Sequence, residues 1–267
     1  MLAKNSKSKS AWHKEIKAIE KQEIKLKESA LKTKAPRWKS SFEEKIPAKV
    51  YTGLENAFCK GFAFVFSQGR TVIEKSYNKD NVKAEHLVRD YAVRVKGGRK
   101  EFRAIRKKAG QSDKLNLGLT TIEGLALGTL GIGMPDVVLF LGALLKGVYE
   151  TALNYGFDYV SRRDQLLILK IMQTALSTGE DWGRLDAQVD ELFSAADCDI
   201  SDSDFDLQLN ATSSAFAVDM LLLKFVQGIP VVGIIGGVAN PVYYSRIMKY
   251  VGLKYRKNYL LKLEQIK

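Results

Sequence analysis

The chain has 267 residues, 46% of them hydrophobic and 27% charged, with a formal net charge of +12. Two cysteines, Cys59 and Cys198, leave no material for a disulfide framework or a zinc cluster, and the only histidines, His13 and His86, lie near no nucleophile motif of a hydrolytic triad. Residues 1–110 hold 28 Lys and Arg against 12 Asp and Glu, while 111–267 hold 14 against 18, so the first part is +16 and the rest −4. Such a basic region points to an anionic partner, either nucleic acid or the inner leaflet of a membrane.

Met1 to Ser10 is Lys-rich but is followed by no apolar signal-peptide core, so a cytoplasmic location is expected. Residues 11–34 predict a helix with Trp12, Ile16, Ile19, Leu26 and Ala30 near one stripe, interrupted by Glu23. Two readings fit it: a helix lying in a lipid interface, or a helix docked on its own domain. Pro36 ends the segment, which defines a basic arm over residues 1–40.

The main domain is expected over residues 41–267. Ser41 and Glu44 have capping-box spacing, and a helix from about Pro47 places Val50, Leu54, Ala57 and Phe58 on one face. The aromatic stretch Phe62 to Phe66 reads as core. Asp80 to Val95 is a further helix with Val82, His86 and Arg89 on one face and Leu87 and Tyr91 beside it; His86 reads as structural. A Gly97-Gly98 turn then leads into a helix carrying Arg99, Lys100, Arg103, Arg106, Lys107 and Lys108, ended at Gly110. These cations, with backbone N–H groups near the turn, are the candidate contacts for phosphate or lipid headgroups. No base-reading motif accompanies the 96–108 region, so lipid phosphate ranks ahead of nucleic acid.

Leu119 to Gly156 is the most apolar stretch. Gly124, Gly128, Gly131 and Gly133 alternate with Leu and Ile, and Pro135 with Asp136 marks a helix start. Val137, Leu141, Leu144, Val148 and Ala152 share a face, widened by Phe140 and Leu145, so this helix is expected to be buried. Each apolar block alone is shorter than the roughly 20 residues that span a bilayer. The Gly-rich part is read as a close-packed helical hairpin, in a protein core or shallowly inserted in lipid.

Ser161 and Asp164 predict another capping box, with Leu166, Leu169 and Met172 inward and Gly179 as the stop. From about 180 to 210 the chain turns acidic. Asp197, Asp199 and Ser201 alternate as in a calcium loop, but Asp202 and Gln208 occupy the places of its Gly and Glu, so the reading is a flexible acidic insertion. Ala211 to Gln227 is helical, and Gly233, Gly236, Gly237, Asn240 and Pro241 repeat the earlier pattern of a Gly-rich segment closed by a proline that opens a helix. In that last helix Tyr243, Tyr244, Tyr250, Tyr255 and Tyr259 mix with Arg246, Lys249, Lys254, Arg256 and Lys257, which suits a headgroup zone or an amphipathic surface helix.

The fold expectation is all-α: a compact multi-helix domain around two Gly-rich apolar hairpins, with a basic N-terminal helical arm. KIPAKV at 45–50, TIEGLALGTLGIGMPD at 121–136, NYGFD at 154–158 and GIPVVGIIGGVAN at 228–240 together resemble the EcsC protein family over residues 41–263. That resemblance implies a bacterial protein linked to an operon with an ATP-binding cassette transporter, and it carries over no catalytic residue, metal or cofactor. The expected function is a non-enzymatic accessory at the cytoplasmic face of a membrane, meeting an anionic surface and an integral or transporter protein. Two alternatives stand beside it: a lipid- or phosphate-directed enzyme using Glu123, Asp136 or Asp158, and a nucleic-acid binder using the 96–108 helix.

Overall fold

The computed structural model describes residues 2–32, 47–110, 134–195, 199–226 and 241–265, with the side chains of 2–9, 134–136, 223–226 and 241–242 left out. The elements are α1 (Leu2–Lys32), α2 (Ala48–Phe64), a π-helical turn (Val65–Gly69), α3 (Arg70–Lys75), α4 (Lys79–Lys96), α5 (Arg99–Ala109), α6 (Met134–Asn154), α7 (Arg162–Leu176), α8 (Glu180–Ser194), α9 (Asp202–Val226) and α10 (Pro241–Gln265). The described residues contain no strand, and the fold is all-α.

Local signals set several boundaries. The Asn78 side chain accepts from Asn81 N–H at 2.8 Å and starts α4. Ser161 and Asp164 form the full reciprocal capping box at the start of α7, as their spacing predicts. Gly97, with φ of 57°, lets the chain reverse between α4 and α5.

The packing follows from α6. Val137, Val138, Leu141, Leu144, Leu145, Val148, Tyr149 and Ala152 are fully buried on an arc of about 140°, and the buried Phe140, Gly147, Thr151 and Leu153 widen it to about 240°, so the helix needs neighbours on several sides. α2, α4, α5 and α10 supply them. One window, Val137–Asn154, is long and apolar enough to cross a membrane by length and composition, yet 78% of it is buried inside the protein. At Gly147 any Cβ would strike the Tyr244 hydroxyl, so the missing side chain is what lets α10 approach α6. α7 packs on α8, α9 and α10, and α9 also lies against α2. Between these layers Phe216 meets Phe58 at 5.1 Å, Phe62 at 5.3 Å and Tyr243 at 5.9 Å between ring centroids.

Helix α1 packs along α10, α8 and α5. Its Ala11, Ile19 and Ala30 are buried and Trp12, Ile16 and Leu26 lie against the core, so the stripe read from the sequence is the docked face. Trp12 Nε1 donates to the Leu260 carbonyl at 3.1 Å, and Gly179 N–H donates to the Ala30 carbonyl at 3.0 Å.

Two expectations change. α10 is not a surface helix: Tyr243, Tyr244, Tyr250, Tyr255 and Tyr259 are at most 6% exposed and Lys254 is 0% exposed. Its tyrosines face α4, α6, α8 and α9 because rings fill interhelical space while hydroxyls reach carboxylates, Tyr250 to the partly buried Asp186 and Tyr259 to the buried Asp90. The acidic stretch is not a loose insertion either. It supplies α8 and the start of α9, where Trp182, Leu185, Val189 and Phe205 are buried at helical spacing; residues 196–198 lie outside the described part.

Candidate functional site

Helix α5 buries Phe102, Ile105 and Ala109, three and four residues apart, and this forces its basic residues toward the remaining faces. The six candidate cations then divide. One guanidinium nitrogen of Arg106 donates to both carboxylate oxygens of Glu15 of α1, at 2.9 and 2.8 Å, and Lys108 reaches Glu85 of α4 at 2.9 Å. Those two hold α5 to its neighbours. Arg99, Lys100, Arg103 and Lys107 are exposed and make no ion pair among the described residues.

The helix start that was expected to hold phosphate is differently arranged. The Glu101 carboxylate folds back over Gly98, where a Cβ would touch it, so the chain's own acid lies at the positive end of α5. An anion approaching this hairpin meets the exposed guanidinium and ammonium groups, not the backbone N–H groups.

Beside this basic face runs a feature the sequence reading passed over. On α4 the inward residues are His86, Asp90 and Val93. The opposite arc, of about 100° on a helical wheel, carries Ala84, Leu87, Val88, Tyr91 and Val95. Leu87 is 66%, Val88 70%, Tyr91 70% and Val95 48% exposed. The signal was present as apolar residues at i, i+1, i+4 and i+8, but Val82 and His86 drew attention to the other face.

The Gly-rich candidates Gly124, Gly128, Gly131, Gly133, Gly233, Gly236, Gly237 and Asn240 lie outside the described residues. Pro135 and Asp136 fall in the first turn of α6, which begins one residue earlier than expected, and Pro241 opens α10. Of the carboxylates considered for catalysis, Glu123 is outside the described part. Asp158 is half exposed, accepts from Tyr159 N–H at 2.8 Å and faces Lys83 at 3.5 Å, which is a local turn role.

Two partly buried polar clusters were not foreseen. Glu23 (α1), Asp186 and Asp190 (α8) bring one oxygen each within 4.8 Å of one another, a grouping of the type that can hold a cation. The protein supplies the cations itself: Lys254 Nζ lies 2.7 Å from Asp186 and 2.9 Å from Asp190, and Lys257 Nζ lies 2.8 Å from both Glu23 and Asp190. Elsewhere, Tyr159 OH donates to Glu74 at 2.8 Å, which leaves Tyr77 as the donor to Tyr159, also at 2.8 Å. Burial pushes the Glu74 carboxyl up, but the hydrogen bonds from Lys79 and Tyr159 outweigh it and hold the group below the usual carboxylate range. Neither group pairs a nucleophile with a base, and both read as links between helices.

A family model described as the EcsC protein family matches residues 10–260, nearly the whole chain. No curated protein and no solved structure matches it.

Proposed function

The chain belongs to the EcsC protein family, and we propose that it is a non-enzymatic protein that binds an anionic membrane surface from the cytoplasmic side through α5, as an accessory to an integral membrane protein such as a transporter. One observation carries this reading. After Glu15 and Glu85 have taken up Arg106 and Lys108, the cations Arg99, Lys100, Arg103 and Lys107 remain exposed together on one short helix. Cations near an anionic leaflet contribute about 1 kcal/mol each.

Co-flotation of the full chain with liposomes tests it. Binding is expected to vesicles containing phosphatidylglycerol, weakly or not at all to phosphatidylcholine alone, and to fall as salt rises. Exchange of Arg99, Lys100, Arg103 and Lys107 for Ala should weaken it by about a hundred- to a thousandfold. A chain that ignores both vesicle types at low salt is not a membrane-surface protein. Retention on DNA or RNA at moderate salt by the same four side chains would favour the nucleic-acid alternative.

A further inference from the structure

We infer that the exposed face of α4, made by Leu87, Val88, Tyr91 and Val95, is a wedge that enters the acyl–headgroup boundary of an anionic bilayer while α5 beside it holds the headgroups. This rests on the membrane reading above and adds to it an orientation of the protein and an apolar part of the binding that salt should not remove.

A solvent-facing helix surface is normally polar, because apolar side chains there gain nothing from folding. Here the outermost arc of an 18-residue helix is apolar from Ala84 to Val95, after Asp80 in its first turn, with three side chains at least 66% exposed. The inward side of the same helix is mixed: His86 and Asp90 are buried against Asn154 and Tyr259, and Val82 and Val93 pack on the core. Leu87, Val88, Tyr91 and Val95 thus stand outward and take no part in the packing of this helix on the core.

Charge decides which partner fits. The α4–α5 hairpin turns at Gly97-Gly98, and the Lys108–Glu85 pair at 2.9 Å keeps the two helices side by side. The exposed apolar stripe and the exposed cations Arg99, Lys100, Arg103 and Lys107 thus belong to two helices paired side by side, and Lys96 at the C-terminal end of α4 is also exposed. A twofold contact between copies through α4 would bring two such cationic sets to one interface, where they repel. A layer with an apolar interior beneath anionic headgroups matches both halves, and Tyr91 suits the boundary between them.

The test uses the full chain with Cys59→Ser and Cys198→Ser, carrying one environment-sensitive fluorophore at Val88→Cys or, as a control on α9, at Leu207→Cys. Leu207 is also apolar and 69% exposed, but α9 packs on α2 and α7. With phosphatidylcholine–phosphatidylglycerol vesicles, the label at 88 should shift to the blue and escape an aqueous quencher, while the label at 207 should not. Unlabelled protein with Leu87→Ser, Val88→Ser and Tyr91→Ser should bind about ten- to a hundredfold more weakly and lose its salt-resistant fraction. Unchanged circular dichroism and urea midpoint would show that this variant is folded. If the wild type floats but the label at 88 stays in water and the triple variant binds equally, the wedge is wrong and the electrostatic membrane reading survives. If the wild type does not float, both fail. Self-association that the triple variant abolishes, without a vesicle response, would reassign this face to a second copy and overturn the inference.

Discussion

Glu23, on the N-terminal helix, lies 2.8 Å from the ammonium of Lys257, 234 residues further along the chain. Lys257 also meets Asp190, and the fully buried Lys254 meets Asp186 and Asp190, so three carboxylates and two ammoniums join α1, α8 and α10. Lys254 is fully buried while the three carboxylates are partly exposed, so removing the ammonium leaves excess negative charge that water reaches only in part.

Lys254→Ala is therefore expected to destabilise the fold by about 1–3 kcal/mol, read from the urea midpoint, less than for a fully buried pair because the carboxylates are partly exposed. Adding Asp190→Asn should restore part of the loss, because the excess negative charge falls with it. Equal stability of Lys254→Ala and the wild type would show that the cluster does not hold α1 and α8 to α10.

Alkaline pH should unfold the protein. Burial raises the hydroxyls of Tyr77, Tyr149, Tyr159, Tyr243, Tyr250, Tyr255 and Tyr259 above their ordinary value. Lys257 is also raised: burial acts to lower it, but its bonds to Asp190 and Glu23 prevail. A group whose folded value lies above its unfolded one stabilises below the unfolded value and loses that contribution as pH climbs toward the folded one. Stability is expected to fall from about pH 10 upward, where free tyrosine ionises. The absorbance change of tyrosinate should accordingly appear in one cooperative step with unfolding, and not as a gradual titration of the native protein.

His86 gives the opposite window. Its imidazole is buried, which lowers its affinity for a proton, and its bond to the Asn154 carbonyl at 2.9 Å opposes this less strongly. Only an N–H can donate to that carbonyl, so Nδ1 carries the proton of the neutral ring. The folded state prefers the neutral form, hence the contribution is complete above about pH 6.5 and is lost as pH falls below it. Denaturation at pH 7 and pH 5 should show a loss in the wild type that His86→Gln reduces.

Gly156 follows α6 with φ of 76°, and a Cβ there would collide with His86 Nε2. Gly156→Ala combines an unfavourable backbone with that collision and should cost about 1–3 kcal/mol in thermal or urea unfolding. An unchanged midpoint would mean that the turn does not seat His86.

The binding face yields the last expectation. Neutralising Arg99, Lys100, Arg103 and Lys107 should abolish salt-sensitive vesicle binding without moving the urea midpoint, because none of the four is tied to the fold among the described residues. The same change at Arg106 should lower stability, since its partner Glu15 also serves Arg256, which is 7% exposed.

The sequence by itself determined the all-α class, the buried character of α6, the apolar stripe of α1, the cap at Ser161 and the turn at Gly97, because these rest on spacing and on chemistry within a few residues. That the stripe of α1 docks on the domain and not on lipid was decided by the tertiary structure. Only the tertiary structure decided the rest. Glu23 looks like a flaw in an apolar stripe until Lys254 and Lys257 arrive opposite it, and the tyrosines of α10 look interfacial until α6 and α8 enclose them. Six cations on α5 are alike in sequence, yet Glu15 and Glu85 come from other helices and claim two of them. Periodicity tells which residues share a face, whereas what that face meets, another helix or open solvent, depends on partners distant in the chain. The outward stripe of Leu87, Val88, Tyr91 and Val95 was legible as a pattern, and its exposure was settled by the burial of His86 and Asp90 on the other side.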